Sequence, residues 1–568
     1  MWGHPFLQKS KERFNFQETT QMNSIRQQLS KLSMAATALT MLAIFLVTIA
    51  ATPSHAQIPP ATVVYDFRGA PNDIYAPSGA LAQGRDGDLY GTGPYEAGNN
   101  QGGVFKISPA GAETLIASFP ASWRGCQGLA LGFDGNFYGT CLLGGAHNWG
   151  LVFQVTPAGV LTDIYDFTGT ANDGTPSWVP VLGANGELYG TSGNGNYLPG
   201  NIYRVSTTGV YKNIKSGVGY SNPTVLSAGS DGNFYGAWGN DPKYGNLGSV
   251  FKVTAAGTYK VVHGFKGSDP SKYPWGVVLA SNGKLYGTDN GGGANGNGAI
   301  FSLTTSGKLT DLFDINSSQD GALNVNNLLQ ATDGNFYGAS FGGGSGNQGS
   351  FYELASGNSF SVDLLVNGAL AGVAPATPLM QHTNGTIFGT TSSYGPGGLG
   401  AVVSFDIGAS PFISLVGPVP AGAEGAQVQI LGQGFDSSSV VEFGGTPATT
   451  VQVTGSTFIE ATVPTGALTG KVTVTTGSTT LSTPSIYLVT PTIGGFKPPS
   501  GPVGTQVTIS GTGLLQATKV TFNKTSATFT VNSDQQITAT VPTGATSGKI
   551  SVTTPGGTAT SSKSFTVN

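Results

Sequence analysis

The sequence predicts an all-β protein: a seven-bladed β-propeller followed by two immunoglobulin-like β-sandwiches. Three observations carry this. A phrase ending in Tyr-Gly recurs seven times at steps of 46 to 51 residues, counting Phe-Gly in its last copy. A second, unrelated pattern occurs twice after residue 411. No long stretch with helical periodicity follows residue 60. Composition agrees, because 88 glycines beside 39% hydrophobic and 10% aromatic residues suit many short strands joined by tight turns, not a disordered chain.

The seven copies are Asp86-Gly-Asp-Leu-Tyr-Gly-Thr92, Asp134-Gly-Asn-Phe-Tyr-Gly-Thr140, Asn185-Gly-Glu-Leu-Tyr-Gly-Thr191, Asp231-Gly-Asn-Phe-Tyr-Gly-Ala237, Asn282-Gly-Lys-Leu-Tyr-Gly-Thr288, Asp333-Gly-Asn-Phe-Tyr-Gly-Ala339 and Asn384-Gly-Thr-Ile-Phe-Gly-Thr390. An apolar run precedes each phrase, and the Asp-Gly or Asn-Gly pair reads as a two-residue hairpin turn with positive φ. A Gly-rich loop follows, then a third strand such as Gly103-Val-Phe-Lys-Ile107, a short turn, and a fourth strand such as Thr162-Asp-Ile-Tyr-Asp-Phe167. Four short antiparallel strands per repeat is the signature of a propeller blade. The second glycine of the phrase (Gly91 and its six equivalents) sits inside a strand, where glycine marks crowding or a bulge.

The last repeat has a third strand at Val402-Val-Ser-Phe405 but no fourth strand after it. A fourth-strand phrase stands instead at Thr62-Val-Val-Tyr-Asp-Phe67. The N-terminal strand 62–67 is therefore expected to complete the last blade of a propeller spanning 57–408. The repeated phrase, with Val-Phe-Lys-x-Thr/Ser-Pro-x-Gly, resembles the GloVer tandem-repeat (choice-of-anchor) family of bacterial exported proteins over residues 62 to about 406. The resemblance implies an exported or envelope setting and no particular activity.

In the second pattern, Gly425-Ala-Gln-Val-Gln-Ile-Leu-Gly-Gln-Gly434 matches Gly504-Thr-Gln-Val-Thr-Ile-Ser-Gly-Thr-Gly513, and Val463-Pro-Thr-Gly466 matches Val541-Pro-Thr-Gly544. Alternating Val, Ile and Thr with Gly and Pro punctuation read as small β-sandwiches. Both copies resemble IPT/TIG domains, one at 409–489 and one at 490–568.

The N-terminus reads as a targeting segment, residues 1–56. Lys9, Lys11, Arg13, Arg26 and Lys31 precede an apolar, uncharged run from Met34 to Ala51, and Ser54-His55-Ala56 supplies small residues for cleavage. The competing reading is an uncleaved anchor, since about 18 apolar residues just span a bilayer. Without this segment the chain keeps 20 of its 25 basic and 27 of its 29 acidic residues, a net charge of −7. No basic cluster exists, which excludes a nucleic-acid footprint. No later segment is apolar enough to cross a membrane, and a monomer is expected.

Few residues suggest chemistry. A copper oxidase of the galactose-oxidase type would need histidines gathered near the propeller axis. Here His147, His263 and His382 fall on one face, in a fourth strand and on the opposite face. No metal, cofactor or catalytic set is therefore expected. Asp86, Asp134, Asp231 and Asp333 read as turn residues. Cys126 and Cys141 flank one hairpin. A two-residue turn would set them one diagonal apart, about 7–8 Å, against roughly 4.4–6.8 Å for a bridge. A disulfide is left open, and a bulge would permit it.

The Gly-rich loops and inter-blade loops gather amides and aromatics on one face. Candidate ligand-binding residues there are Tyr95, Trp149, Tyr197, Trp238, Tyr244, Trp178 and Trp275. Trp178 and Trp275, at equivalent repeat positions, also read as packing residues. The expected function is a secreted or cell-envelope, non-catalytic binding or scaffold protein. Its long-loop face would meet an extracellular glycan or cell-surface protein, and its sandwiches would act as spacers or docking units. The alternatives are an extracellular carbohydrate-active hydrolase or lyase, and a mechanical adhesion component. Export with cleavage after Ala56 predicts that mass spectrometry of secreted protein finds Gln57 at the N-terminus. Mature material beginning at Met34 or earlier would defeat that expectation.

Overall fold

The computed structural model describes residues 61–68, 74–96, 101–194, 198–218, 224–315, 323–325, 328–342, 350–355, 360–361, 378–392, 398–417 and 421–568. The chain divides into two units, 1–57 and 58–568. The expected export segment lies outside the described residues.

Residues 62–405 form seven antiparallel sheets of four or five strands, with a two-stranded ribbon of Ile74–Tyr75 and Tyr95–Glu96. In the second sheet the order is Arg124–Leu131, Phe137–Leu143, Leu151–Val155 and Leu161–Asp166, each strand beside its predecessor. The seventh sheet differs. Its strands Met380–Gln381, Ile387–Thr391 and Ala401–Phe405 are completed by Thr62–Asp66, which pairs antiparallel with 401–404. The expected N-terminal closing strand is therefore in place, and the first sheet packs against the seventh.

The hairpin turns correct one expectation. In the first copy, Gly84 N–H donates to Asp88 O at 2.8 Å and Gly87 N–H to Gly84 O at 3.1 Å, so three residues form the loop, not two. Only the glycine is left-handed, with φ +83° at Gly87 and +84° at Gly135; the Asp before it is not. This is a type I turn closed by a glycine bulge. The Asp has another task. Its carboxylate accepts the N–H two residues on, and the phrase tyrosine donates its hydroxyl to it: Tyr90 to Asp86 at 2.8 Å, Tyr138 to Asp134 at 2.7 Å, Tyr235 to Asp231 at 2.8 Å, Tyr337 to Asp333 at 2.6 Å. Burial and these carboxylates push the hydroxyls' pKa upward, which keeps them donors. Where Asn replaces Asp the bond reverses, and Asn185 and Asn282 amides donate to Tyr189 and Tyr286 at 3.0 and 2.9 Å.

The strand glycine faces an aromatic ring. Gly91, Gly139, Gly190, Gly236, Gly287 and Gly338 pair with Phe105, Phe153, Tyr203, Phe251, Phe301 and Tyr352 of the third strand. A methyl group at Gly139 would stand 2.5 Å from Phe153 Cζ and 2.7 Å from Gly128 O. The ring occupies the space a side chain would need. In the seventh sheet the partner of Gly389 is Val403.

Sheets meet through the same phrase. Tyr90 stacks on Phe137 with centroids 4.1 Å apart, Tyr189 on Phe234 at 4.1 Å and Tyr286 on Phe336 at 4.3 Å. Between these pairs Tyr138 shares a buried cluster with Leu188, Tyr235 with Leu285, Tyr337 with Ile387, and Phe388 with Leu89. The alternation of Leu-Tyr and Phe-Tyr along the chain is thus an alternation of inter-sheet contacts.

Residues 414–489 form two facing sheets, one built on Gln427–Leu431 and Phe458–Thr462, the other on Val440–Phe443 and Val472–Thr476. Residues 492–567 repeat the arrangement. The first pair is docked, not strung on a linker. The Arg85 guanidinium lies 4.4 Å over the Phe458 ring and donates to Phe133 O at 2.6 Å and Gln429 Oε1 at 3.1 Å. Thr457 donates to Arg85 O at 2.6 Å, and Thr383 donates to Gly432 O at 3.2 Å. Buried His382 links Gly87 O, at 2.8 Å, to the seventh turn. Under this contact lies a cavity of about 470 Å³, bounded by Leu81, Leu129, Leu182 and Met380 below and Phe412 and Leu431 above. The hairpin-turn side is therefore covered over its centre and over the turns of the first, second and seventh sheets, while turn residues of the fourth to sixth, such as Asp231, Asn282 and Asp333, stay exposed.

The two C-terminal sheet pairs meet at Glu424. Its carboxyl accepts Gly466 N–H at 2.7 Å and shares a hydrogen bond with Asp534 of the second pair. Burial and that carboxyl push its pKa up to about 7.

Two expectations follow. Gly139→Ala should destabilise the protein by about 1–3 kcal/mol in urea unfolding, the usual effect of overpacking. Gly389→Ala should cost less, because only the tip of Leu379, 2.6 Å from the added methyl, stands in the way. Equal losses at both positions would sink the ring-in-the-gap account. The second concerns pH. Glu424 is raised from an ordinary 4.5 to about 7, so its contribution to the seam is complete below 4.5 and lost as pH rises through 7. In Glu424→Gln an amide replaces the shared proton, and the pH dependence of the C-terminal unfolding transition across that window should flatten. Superimposable pH profiles for parent and variant would rule the shared proton out.

Candidate functional site

The sheets diverge at one repeat position, twelve residues before the strand glycine. It is Trp178 in the third sheet, Thr224 in the fourth and Trp275 in the fifth. The fourth sheet's small threonine lets the two tryptophans meet across it, edge to face, with ring centroids 6.0 Å apart and planes at 80°. Both are half-buried. Trp178 is anchored through its carbonyl, which accepts the Thr140 hydroxyl at 3.0 Å. Trp275 is the extra residue of a bulge, since Pro274 pairs with Asp289 and Gly276 with Thr288. A bulge re-aims a side chain.

Tyr273 stands at the rim. Its φ is +58°, an outlier for a bulky residue. The backbone is held there from both sides: Tyr273 N–H donates to Leu247 O at 2.9 Å, and Asn290 N–H to Tyr273 O at 3.2 Å. Its ring lies on Gly291, where a methyl group would approach within 2.8 Å, and the side chain is 38% exposed. Buried Asp289 fastens the loop behind it by accepting the N–H groups of Gly292 at 2.8 Å and Ala299 at 3.1 Å, and burial pushes its pKa up to about 6. Strain that is over-determined in this way clusters at functional sites.

These residues, with Gly239, Asn240, Pro274 and Asn290, line a cleft of about 450 Å³. Among the described residues, no lining residue is charged, and Asn290 Oδ1 has no hydrogen-bond partner. The cleft offers ring faces, amides and hydroxyls. Its described lining has no carboxylate or imidazole for acid–base work. The carboxyl pairs Asp163–Asp166 and Asp311–Asp314 lie in outer strands, and burial with the neighbouring carboxyl raises Asp163 to about 7 and Asp311 to about 6.

Of the residues expected on this face, the structure brings only Trp178 and Trp275 together. Trp238 is a correction: it is wholly buried and packs on Phe251 at 5.5 Å, because its strand runs further before the loop begins. Tyr244 sits in a short 3₁₀ turn over Gly264. Trp149 is 43% exposed and lies flat on Gly169, apart from the cleft. Tyr197 and the side chain of Tyr95 lie outside the described residues. His147 is exposed in its loop, His263 lies 3.2 Å from Asp269 in an outer strand, and His382 is at the covered side. Among the described residues, no group of three or more acidic, His or Cys side chains is placed to hold a metal. Cys126 and Cys141 are joined by a disulfide. The three-residue turn shifts the register by one residue and a bulge between Gln127 and Ala130 by one more, which together bring the two cysteines from a diagonal to a directly opposed pair. Sequence reasoning passed over Thr224, although alignment on the strand glycine puts it level with the two tryptophans.

The fold is all-β and propeller-like. The Gloeobacter/Verrucomicrobia repeat model matches residues 76–273 and 222–425, together more than half of the chain. The chain belongs to that repeat family. An IPT/TIG domain matches residues 491–567. No curated protein matches the chain. Among solved structures it is similar to a catalytically inactive virginiamycin B lyase from Staphylococcus aureus with quinupristin, at 17% identity and TM-score 0.44, covering 60% of this chain and 96% of that one. It is also similar to a gluconolactonase from Xanthomonas campestris, at 11% identity and TM-score 0.33 over 50% and 88% of the two chains. A puromycin hydrolase shows 12% identity and TM-score 0.39 over 64% and 52%. Among the described residues, no helix is long and apolar enough to cross a membrane.

Proposed function

We propose that the protein is an exported, non-catalytic binding protein whose open loop face holds a neutral saccharide in the Trp178–Tyr273–Trp275 cleft. In this reading the seven sheets are the blades of a closed seven-bladed propeller spanning 57–408. The two C-terminal sheet pairs, 409–489 and 490–568, are immunoglobulin-like modules. The observation that carries it is the cleft, uncharged among its described residues, with two half-buried indoles and a strained tyrosine at its rim. Sugars present hydroxyls that amides recognise and C–H faces that lie on aromatic rings. An ionic ligand would find no counter-charge among the lining residues. The first module occupies the centre of the turn side, so a ligand at the centre of the propeller has its freer approach from the loop side. The first module then acts as a fixed base for the propeller and the second as the outward docking unit.

The test is a glycan-array screen of the protein secreted from the full-length chain, followed by titration of the best neutral hit. Trp275→Ala should weaken that hit at least tenfold, about 1.4 kcal/mol. Trp149→Ala, away from the cleft, should leave it unchanged. Binding that survives Trp275→Ala in a folded variant would remove the cleft as the site. Hydrolysis or cleavage of the hit during titration would favour a carbohydrate-active enzyme instead.

A further inference from the structure

Resting on the saccharide reading, we infer that the cleft recognises the end of a sugar chain and not its middle. The geometry of the two indoles is the reason. A polymer that runs across a surface is gripped by rings that follow its length, each beneath a successive sugar. Here the ring planes stand at 80° with centroids 6.0 Å apart. A sugar lying on a free indole face in the angle between the rings abuts the second, perpendicular ring, which stands as a wall across the position where the next residue of a continuing chain would lie.

The rim adds to this. Tyr273 is exposed, yet its backbone is fixed by Leu247 on one side and Asn290 on the other, and its ring is seated on Gly291. It forms a standing wall in place of a mobile flap. Among the described residues the lining comes from three consecutive sheets, through Trp178, Thr224, and the pair Tyr273 and Trp275. Its volume of about 450 Å³ belongs to a bounded, pre-formed ligand pocket and not to an open track. A pre-formed wall also lowers the ordering cost of binding a short ligand.

The experiment compares chain lengths. Dextran, mannan and xylan are each prepared as a short oligosaccharide and as a long polymer of narrow mass distribution, and are titrated calorimetrically against the protein secreted from the full-length chain. For whichever sugar binds, an end-binding cleft gives the same Kd per mole of chain at both lengths and one protein per chain. A Kd per chain that tightens in proportion to length, with many proteins on each polymer, overturns end recognition while leaving the saccharide reading intact. Binding that Trp275→Ala does not weaken overturns the cleft itself, and absence of binding by every sugar of the panel and the array overturns both. Trp275→Phe serves as the second variant, since it keeps an aromatic face and the fold. It should retain the single-site stoichiometry with a weaker Kd, and a many-site stoichiometry in this variant also counts against end recognition.

Discussion

The repeat region rests on one steric exchange: a strand residue gives up its side chain so that an aromatic ring from the next strand can fill the space. Each of the first six phrase glycines lies opposite a Phe or Tyr. Close packing leaves no slack for both a side chain and the ring. The phrase tyrosine depends on this arrangement. With its strand held close to the third, it reaches back to the turn Asp and sideways to the next sheet. One short phrase therefore sets the turn, the strand pairing and the contact between neighbours.

A ring of such units has to be broken somewhere to give a site. Two features break it here. On the hairpin-turn side, the first C-terminal sheet pair docks on the first, second and seventh turns, through Arg85, Phe133, Thr383 and Thr457. Arginine suits this seam, since its flat guanidinium stacks on Phe458 while its N–H groups serve Phe133 and Gln429. On the other side, Trp–Thr–Trp at one repeat position turns three consecutive sheets into a cleft. The second sheet has a left-handed Gly125 and a register shift at the matching positions, so the cleft differs in its side chains, with a tyrosine where the second sheet has glycine.

The ionisable groups follow the same division. Turn carboxylates are occupied by tyrosine hydroxyls, main-chain N–H groups and, at Asp86 and Asp231, lysines. Of the carboxyls with raised pKa, Asp163, Asp311 and Glu424 face other carboxyls at the periphery or at the seam between the C-terminal sheet pairs, whereas Asp289 is raised by burial behind the cleft, where main-chain N–H groups hold it. None of those pairs borders the cleft.

The sequence by itself determined the all-β class, the repeat and its period, the strand glycine, the N-terminal strand of the last sheet and the second pattern after residue 411. These are local properties, carried by hydrophobic alternation, turn residues and spacing, and repetition multiplies their signal. Asp-Gly is compatible with both a two-residue and a three-residue loop, and only the hydrogen bond from Gly84 to Asp88 distinguishes them. The turn and the bulge that together oppose Cys126 and Cys141 have no sequence marker, since register depends on both strands. Trp238 follows the repeated phrase directly, and strand ends shift by a residue or two without a sequence marker, so its place in the strand is visible only in the fold. Only the tertiary structure shows that Trp178 and Trp275 touch, that Tyr273 is locked beside them and that the first C-terminal sheet pair docks on the turn side. Trp178 and Trp275 come from two different sheets, and Arg85 and Thr457 lie 372 positions apart, so only the packing of whole sheets brings them together.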